Sequence, residues 1–252
     1  MLISERHQKI LSILQTEKTI SIQKLVKVLY VSEATLRRDL TKMEQQGLLQ
    51  RTYGGATIIE SSSKESSILI REQTQIKEKR KIAIKCLDIL KDNYSYFIDS
   101  SSTVGHLLYH LNNFKDLTVI TNGLNNAIIL TQTTKANVFL TSGMVYTKTN
   151  SILGIDTIEY IRKFNCNSFL FSCSGISPEG ITEANFEQSL VKKEMLKHSK
   201  EHILLVDHTK FNKIFLCRNC GFEDIDYIIT DEVPEQEYID LFNQNNVKLI
   251  IA

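Results

Sequence analysis

The sequence predicts an α/β protein in two parts: a small N-terminal domain of helices and a hairpin, then a larger domain built on a mostly parallel sheet. Apolar positions with helical spacing run through residues 1–59. A polar stretch without periodicity occupies residues 60–67, which is typical of a linker. Within residues 68–252, strand-like apolar runs alternate with helical patterns, and this alternation indicates a parallel sheet covered on both faces.

Three capped helices are expected in the N-terminal domain. Ser4, Ser21 and Ser32 each stand where a side-chain oxygen would accept a hydrogen bond from the first helical turn. Gly47 suits the left-handed position that ends a helix. The apolar stripes of the second and third helices are Ile22, Leu25, Val26 and Leu29, and Leu36, Leu40 and Met43.

A hairpin is expected after the third helix. Residues 48–53 are predicted to form its first strand, Gly54 and Gly55 its turn, and residues 56–59 its second strand. Together with the preceding helices, this hairpin would form the wing of a helix-turn-helix domain.

The polar face of the third helix indicates DNA binding. In a helix-turn-helix the second helix enters the major groove, where Arg and Lys reach phosphates or guanine edges. The hairpin could touch the backbone or the minor groove. A solvated basic helix in an ordinary bundle is the alternative. The candidate DNA-binding residues are Ser32, Thr35, Arg37, Arg38, Lys42, Arg51, Tyr53, Gly54 and Gly55.

The net charge of +1 is divided unevenly along the chain. Residues 1–60 hold nine Lys and Arg against six Asp and Glu, a net charge of +3, and the remainder has a net charge of −2. Charge acts locally, so the near-neutral total does not exclude a DNA-binding protein. Because +3 is modest, we expect weak, salt-sensitive non-specific binding. Tight operator binding would then need paired domains in a homodimer or homotetramer.

The larger domain shows a regular alternation of elements. Residues 68–90 are predicted to form one charged helix. Strands are predicted at residues 96–99, 117–121, 138–141, 169–173, 203–206, 227–230 and 248–251. Further helices are predicted at residues 104–111, 125–131, 154–164, 186–198 and 235–243.

Small or polar residues follow five of these strands. Ligands of open α/β sheets bind outside the carboxyl ends of the strands. Ser100 to Thr103 lead straight into a helix and would cradle a phosphate or carboxylate, Lys210 could add a point charge, and Asp99 and Glu183 could accept hydrogen bonds from sugar hydroxyls. Ordinary polar loops are the alternative. The candidate ligand-binding residues are Asp99, Ser100, Ser101, Ser102, Thr103, Thr121, Asn122, Gly143, Gly175, Glu183 and Lys210.

Several motifs occur together along nearly the whole chain. Residues 31–40 read V-S-E-A-T-L-R-R-D-L, and G-G-A follows at residues 54–56. In the larger domain, D-S-S-S-T stands at residues 99–103, T-V-I-T-N at residues 118–122 and D-H-T-K-F at residues 207–211. In combination these motifs resemble the DeoR family of bacterial repressors of sugar metabolism.

The resemblance implies a winged helix-turn-helix domain followed by an effector domain similar to ribose-phosphate isomerase folds. It further implies repression of a carbohydrate operon, with release from operator DNA when a phosphorylated sugar binds. Residues 100–103 would hold the phosphate, and Asp99, Asn122, Glu183 and Lys210 would line the pocket. Ser101 and Ser142 stand where the family often has glycine, which leaves the identity of the sugar open.

Two other functions remain open at this point. A sugar-phosphate isomerase would use Asp99, Glu183, Asp207 and Lys210 for acid–base chemistry, but it would not need residues 1–59. A purely architectural DNA-binding protein would have no use for the large second domain, unless that domain senses a ligand or dimerises.

No cofactor or metal is expected. Cys217 and Cys220 form a lone C-x-x-C, whereas a zinc site would need a second pair or nearby histidines. No apolar run is long enough to span a membrane, and the N-terminus lacks the pattern of a secretory signal. We therefore expect a cytoplasmic protein whose five cysteines are reduced thiols.

Overall fold

The computed structural model describes residues 2–45, 47–57 and 67–252, and it divides the chain into two compact units. Gln75 is the last residue of the N-terminal unit, and Ile76 begins the continuous part of the C-terminal unit. The predicted linker, residues 60–67, lies outside the described residues except for Ser67. Residues 68–75 belong to the N-terminal unit, so the described boundary lies after Gln75 rather than before Ile68.

Helices and a small antiparallel sheet make up the described part of the N-terminal unit. β1, β3 and β2 lie side by side in that order. The predicted hairpin is confirmed as β2 and β3, but its turn is at Tyr53 and Gly54 rather than at Gly54 and Gly55, and residues 58 and 59 of its predicted second strand lie outside the described residues. Strand β1 was not predicted. The elements are α1 (Ile3–Glu17), β1 (Thr19–Ser21), α2 (Ile22–Leu29), α3 (Glu33–Gln45), β2 (Gln50–Thr52), β3 (Gly55–Thr57) and α4 (Ile68–Gln73).

Two of the three predicted helix caps are confirmed. The hydroxyl of Ser21 accepts a hydrogen bond from the Lys24 amide at 3.2 Å, and that of Ser32 accepts one from the Thr35 amide at 3.3 Å. The prediction for Ser4 is wrong. The cap is Leu2, two residues earlier, and the helix begins at Ile3; the Glu5 carboxylate accepts a hydrogen bond from the Leu2 amide at 3.0 Å.

A compact apolar core holds the N-terminal unit together. The predicted stripes of α2 and α3 are buried, apart from the half-buried Val26, and they pack with Ile10 and Leu14 of α1. Ile70 of α4 joins the same core, which explains why residues 68–75 belong to this unit. Gly47 has a φ of +67°, which confirms the left-handed position predicted after α3.

Gly55 permits the close approach of β3 to β1. A Cβ atom at this position would lie 2.0 Å from the backbone oxygen of Ile20. We therefore expect Gly55→Ala to destabilise the N-terminal unit by about 2 kcal/mol or more, because the strands must separate to admit the methyl group. Chemical denaturation followed by circular dichroism measures the loss.

The neighbouring Gly54 is the matched control for this experiment. A Cβ atom at Gly54 would meet no atom within 4 Å, and its φ is not positive. Gly54→Ala is therefore expected to change the free energy of unfolding by less than about 0.5 kcal/mol. Equal effects of the two substitutions would contradict the steric explanation.

The C-terminal unit is an α/β domain, and all of residues 76–252 are described. Its helices are α5 (Ile76–Cys86), α6 (Ser102–Leu108), α7 (Leu124–Thr133), α8 (Ile155–Ile161), α9 (Phe186–Lys197) and α10 (Gln236–Gln244). Its strands are β4 (Ser95–Ile98), β5 (Thr118–Thr121), β6 (Asn137–Leu140), β7 (Met144–Tyr146), β8 (Ser151–Leu153), β9 (Cys166–Phe171), β10 (Gly175–Ser177), β11 (Gly180–Glu183), β12 (Ser199–Leu205), β13 (Cys217–Cys220), β14 (Tyr227–Thr230) and β15 (Lys248–Ile251).

A seven-stranded parallel sheet forms the centre of residues 76–252. Its order is β15-β14-β12-β9-β4-β5-β6, and every neighbouring pair is parallel. All seven predicted strands are confirmed as members of this sheet. Phe97 lies in one buried apolar cluster, whereas its neighbours Tyr96 and Ile98 lie in another. Successive side chains of a strand point to opposite faces, so both faces of the sheet are covered.

The order of strands places a switch point between β4 and β9. On one side of β4, strands β5 and β6 are added toward one edge of the sheet. On its other side, β9, β12, β14 and β15 are added toward the opposite edge. Open α/β sheets bind ligands in the crevice beside the carboxyl ends of strands at such a point. A ligand site is therefore expected among the residues that follow Ile98 and Phe171.

Two features of residues 68–252 differ from the prediction. The single helix predicted over residues 68–90 is wrong. Thr74 is extended and Gln75 has a φ of +51°, so the helix is interrupted between α4 and α5. The hairpin β7–β8 and the antiparallel sheet β10-β11-β13 were not predicted. These strands have three or four residues each, too few for a clear alternation of apolar and polar positions.

Candidate functional site

The exposed face of α3 carries the predicted cations. Arg37, Arg38 and Lys42 are all exposed, and Ser32 and Thr35 lie at the N-terminal end of the helix. Arg37 is held by Glu33, whose carboxylate lies 2.9 Å from the Arg37 Nε. Within the described part of the chain, neither Arg38 nor Lys42 is engaged in an ion pair or a side-chain hydrogen bond. These two cations can therefore meet a nucleic acid without breaking an existing contact.

The hairpin presents only some of its predicted residues. Tyr53 is fully exposed, and Gly54 is exposed beside it at the tip. Arg51 is also exposed but is anchored to α3, with its guanidinium 2.9 Å from the Thr41 hydroxyl. Gly55 is buried between strands. The structure thus supports a positional role for Gly55, which shapes the hairpin rather than lining its surface.

A buried ion pair joins α1 to α3, and sequence reasoning assigned it no role. The guanidinium of Arg6 donates to both carboxylate oxygens of Asp39, at 2.5 and 3.1 Å, and His7 Nε2 lies 3.3 Å from Asp39 Oδ1. Burial alone would raise the pKa of Asp39, but the hydrogen bonds from the Arg6 guanidinium lower it overall. Asp39 lies within the apolar stripe, between Leu36 and Leu40. A charged residue at such a position was the signal in the sequence that could have indicated a buried ion pair.

The loop after β4 is built around Asp99. Asp99 Oδ1 accepts a hydrogen bond from the Ser101 amide at 3.0 Å, and Ser101 in turn caps α6. Ser100, Ser101, Ser102 and Thr103 are all buried. Lys79 of α5, which was not predicted as a site residue, donates to the Ser102 hydroxyl at 3.2 Å. The loop therefore brings hydroxyls and a lysine to the carboxyl edge of the sheet.

Lys192 of α9 lies between the two predicted carboxylates, and it too was missed. Its Nζ lies 3.2 Å from Asp99 Oδ2, donates to the backbone oxygen of Ser172 at 2.6 Å, and contacts Glu183 Oε1 at short range. Burial would lower the pKa of Lys192, but the charges of Glu183 and Asp99 raise it overall. No motif in the sequence places a residue of α9 at this point.

A second buried polar group adjoins the loop. Gln188 Nε2 donates to Ser151 Oγ at 2.8 Å and to Thr149 Oγ1 at 3.2 Å, and it lies 3.5 Å from Ser100 Oγ. Asn122 donates to the backbone of β8, but its Oδ1 is buried with no hydrogen-bond partner among the described residues. A buried acceptor without a partner is costly, so Asn122 Oδ1 is available to a ligand group.

The other predicted residues of this edge have different surroundings. The Thr121 hydroxyl accepts a hydrogen bond from the Gly123 amide at 3.1 Å. Gly143 has a φ of +136°, and a Cβ there would lie 2.4 Å from Thr157 Oγ1. A Cβ at Gly175 would lie 2.4 Å from the backbone oxygen of Lys213. Lys210 is half-buried and has no hydrogen bond from its side chain among the described residues. Steric demands account for both glycines.

His208 forms an ion pair at the ends of β12 and β14. Its Nδ1 lies 2.7 Å from Asp231 Oδ2 and 3.5 Å from Glu232 Oε1. The hydrogen bond to Asp231 raises the pKa of His208 above its usual value. The stabilisation is therefore complete below about pH 6.5 and is lost as the pH rises through the raised pKa of the folded state.

This pair predicts a pH-dependent effect of Asp231→Asn. The substitution keeps an acceptor for the His208 amide but removes the charge that favours protonated His208. Compared with the wild type, we expect the largest loss of Tm near pH 6 and a shrinking difference toward about pH 9, in thermal scans across that range. Glu232→Gln, at an exposed position, is the control with little effect. A Tm difference that does not vary with pH would contradict the role of His208.

The structure contains no helix, among the residues it describes, with the length and apolar character needed to cross a membrane.

Comparison with known proteins identifies both units. Residues 6–62 match the family described as the DeoR-like helix-turn-helix domain, and residues 74–232 match the DeoR C terminal sensor domain. Among solved structures, ribose 5-phosphate isomerase A of Methanocaldococcus jannaschii is similar at 12% identity, with a TM-score of 0.40 over 55% of each chain. This likeness is too remote to carry a residue's role across.

Relatives that match over nearly the full length of the chain are named as transcriptional regulators. The chain is 33% identical to the transcriptional repressor GlcR of Bacillus subtilis over 98% of this chain and 96% of GlcR. It is 33% identical to the transcriptional regulator GolR of Listeria innocua and 28% identical to the glycerol-3-phosphate regulon repressor of Escherichia coli, in both cases over 98% of each chain. These relatives are named as regulators and not as enzymes. The chain belongs to the DeoR family of DNA-binding transcriptional regulators.

Proposed function

We propose that this protein represses a carbohydrate-utilisation operon and leaves its operator when a phosphorylated sugar binds to the C-terminal unit. The observation that carries the proposal is the concentration of buried polar groups at the switch point of the parallel sheet. Three kinds of group lie at the carboxyl edge of the sheet: the hydroxyls of the loop after β4, the ammonium of Lys192, and Asn122 Oδ1, which has no hydrogen-bond partner among the described residues. Names of relatives support the same function, since GlcR is a repressor and another relative regulates a glycerol-3-phosphate regulon.

The N-terminal unit would read the operator through α3. Arg38 and Lys42 are exposed and have no competing partners among the described residues, and Ser32 and Thr35 lie at the helix end that approaches base edges in this motif. Tyr53 and Gly54 at the hairpin tip would touch the DNA backbone. The modest charge of this unit supports operator binding as a homodimer or homotetramer, in which two α3 helices engage repeated half-sites. The protein would act in the cytoplasm, where its operator lies.

The C-terminal unit would hold the effector. The hydroxyls of residues 100–103 would surround the phosphate, and Asn122 Oδ1 would accept a hydrogen bond from a sugar hydroxyl. Lys210 is half-buried and free of side-chain hydrogen bonds among the described residues, so it could turn toward the phosphate. Binding would favour the conformation with low DNA affinity, which lowers operator occupancy by linkage.

A thermal-shift screen against sugar phosphates tests the proposal. A ligand that binds only the folded state raises the Tm by mass action, so we expect one or a few members of the panel to raise it while the corresponding free sugars do not. The same compounds should release the protein from operator DNA in gel shifts. A panel without any shift would overturn the effector assignment.

Lys210→Ala separates the two units' roles. The substitution is expected to leave operator affinity unchanged and to raise the sugar-phosphate concentration needed for release by about tenfold, because one charge–phosphate contact is lost. Gel shifts with increasing effector measure both quantities. Release at the wild-type concentration would show that Lys210 lies outside the site.

A further inference from the structure

We infer that Lys192 tunes the charge of the effector site, so that an anionic ligand can bind beside two buried carboxylates. The inference rests on the proposed function and names a residue that determines its specificity. Lys192 lies on α9, and its ammonium contacts Asp99 and Glu183. We call these three residues the charge triad.

The charge triad is buried as a whole. Lys192 is 6%, Asp99 1% and Glu183 2% exposed. Charges in such surroundings interact more strongly than they would in water. Two carboxylates alone would place two negative charges beside the serine-rich loop, whereas the ammonium reduces the net charge of the triad to −1. Lys192 thereby lowers the electrostatic cost of bringing a phosphate to this edge.

Lys192 also acts on the loop through Asp99. Its ammonium contacts Asp99 Oδ2, while Asp99 Oδ1 accepts a hydrogen bond from the Ser101 amide at 3.0 Å. Asp99 Oδ2 further accepts one from the Ser172 amide at 3.1 Å, and Lys192 donates to the Ser172 carbonyl. The ends of β4 and β9 are therefore joined across the switch point by the same groups. Lys192 is a positioning residue for the loop proposed to hold the phosphate.

Glu183 provides the means to change charge without removing Lys192. The Glu183 Oε2 accepts a hydrogen bond from the Ser174 hydroxyl at 2.9 Å, and Oε1 faces the ammonium. Glutamine has the same shape and keeps an acceptor, so Glu183→Gln removes one negative charge with little change in packing. Lys192→Met removes the positive charge and keeps an unbranched side chain.

The two substitutions and their combination form a charge cycle. The net charge of the triad is −1 in the wild type, 0 in Glu183→Gln, −2 in Lys192→Met and again −1 in the double variant. If Lys192 acts through charge, affinity for a phosphorylated ligand follows this series. If its role is only to hold the fold, each substitution weakens binding and the double variant is the weakest.

Isothermal titration calorimetry with the full chain measures the cycle. The ligands are inorganic phosphate, the sugar phosphate that gives the largest thermal shift, and the same sugar without its phosphate. For the phosphorylated ligands we expect Glu183→Gln to bind on the order of tenfold more tightly, the effect of one unit charge about 10 Å away at an effective dielectric constant of about 20. Lys192→Met should bind on the order of tenfold more weakly. The free sugar should give no measurable heat with any variant, and operator affinity in the absence of ligand should stay within about twofold in both.

The double variant and the wild type decide the interpretation. Recovery of phosphate affinity in the double variant supports the inference, and further loss overturns it. Should Lys192→Met fail to fold, Glu183→Gln decides alone: tighter phosphate binding supports the inference, and equal or weaker binding overturns it. A wild-type protein that binds no sugar phosphate overturns the proposed function and, with it, this inference. A wild type that binds, with variants that ignore the charge series, overturns the role of Lys192 alone.

Discussion

Asp39→Asn is expected to unfold the N-terminal unit while the C-terminal unit stays folded. The substitution removes the negative charge that Asp39 presents to the guanidinium of Arg6, which is 7% exposed. Removing one member of a buried ion pair costs about 3 to 5 kcal/mol. A unit of this size has a total stability of only about 3 to 9 kcal/mol, so the loss removes much or all of it. DNA binding should disappear with the fold of α3.

Differential scanning calorimetry and gel shifts measure this effect. We expect the transition of the N-terminal unit to vanish or move to a much lower temperature, and sugar-phosphate binding by the C-terminal unit to persist. Glu33→Gln is the matched control, because Glu33 lies on the same helix in an exposed pair with Arg37 and should contribute less than about 1 kcal/mol. Wild-type stability in Asp39→Asn would show that the buried pair contributes nothing.

The same residue predicts an acid dependence. Because the pKa of Asp39 is lowered in the folded state, its contribution is present above the unfolded pKa of about 3.9 and is lost as the pH falls through the lower folded value. The wild-type N-terminal unit should therefore lose this contribution only below about pH 4.

Arg38→Ala is expected to give the largest loss of operator affinity without loss of stability. Arg38 is exposed on α3 and has no ion pair or side-chain hydrogen bond in the described structure, so its removal breaks no intramolecular contact. A bidentate contact between arginine and guanine contributes about 1 to 3 kcal/mol. We therefore expect affinity to fall by about 5- to 150-fold, with Tm and effector binding unchanged.

Lys9→Ala controls for the loss of one positive charge. Lys9 is exposed on α1, outside the proposed contact surface, so its removal should lower affinity only slightly and equally for specific and non-specific DNA. Fluorescence anisotropy at several salt concentrations distinguishes the two variants. Equal losses in both would remove α3 from its assigned role in reading the operator.

Long periodic segments explain why much of the fold could be predicted. Apolar periodicity within short stretches of consecutive residues predicts the seven strands of the parallel sheet, the helices α2 and α3, and the hairpin. Short strands such as β1 and β13 carry no such pattern, and each pairs with a strand that lies far away in the chain, β1 with β3 and β13 with β11. The break at Gln75 was missed because a single left-handed residue leaves the helical pattern on both sides intact.

The sequence by itself determined the family, the helix-turn-helix with its exposed cations, and the edge of the sheet at which polar residues gather. Tertiary structure alone decided which of those residues have side-chain atoms that are not already engaged in a hydrogen bond or an ion pair. Asp99 and Glu183 were predicted as acceptors for a sugar, but Lys192 from α9 lies between them. Asp39 on α3 pairs with Arg6 on α1, although the two residues are 33 positions apart in the sequence. Charges pair through space, and a buried charge is stable only beside its partner, so local patterns show where charges stand but not which of them remain available to a ligand.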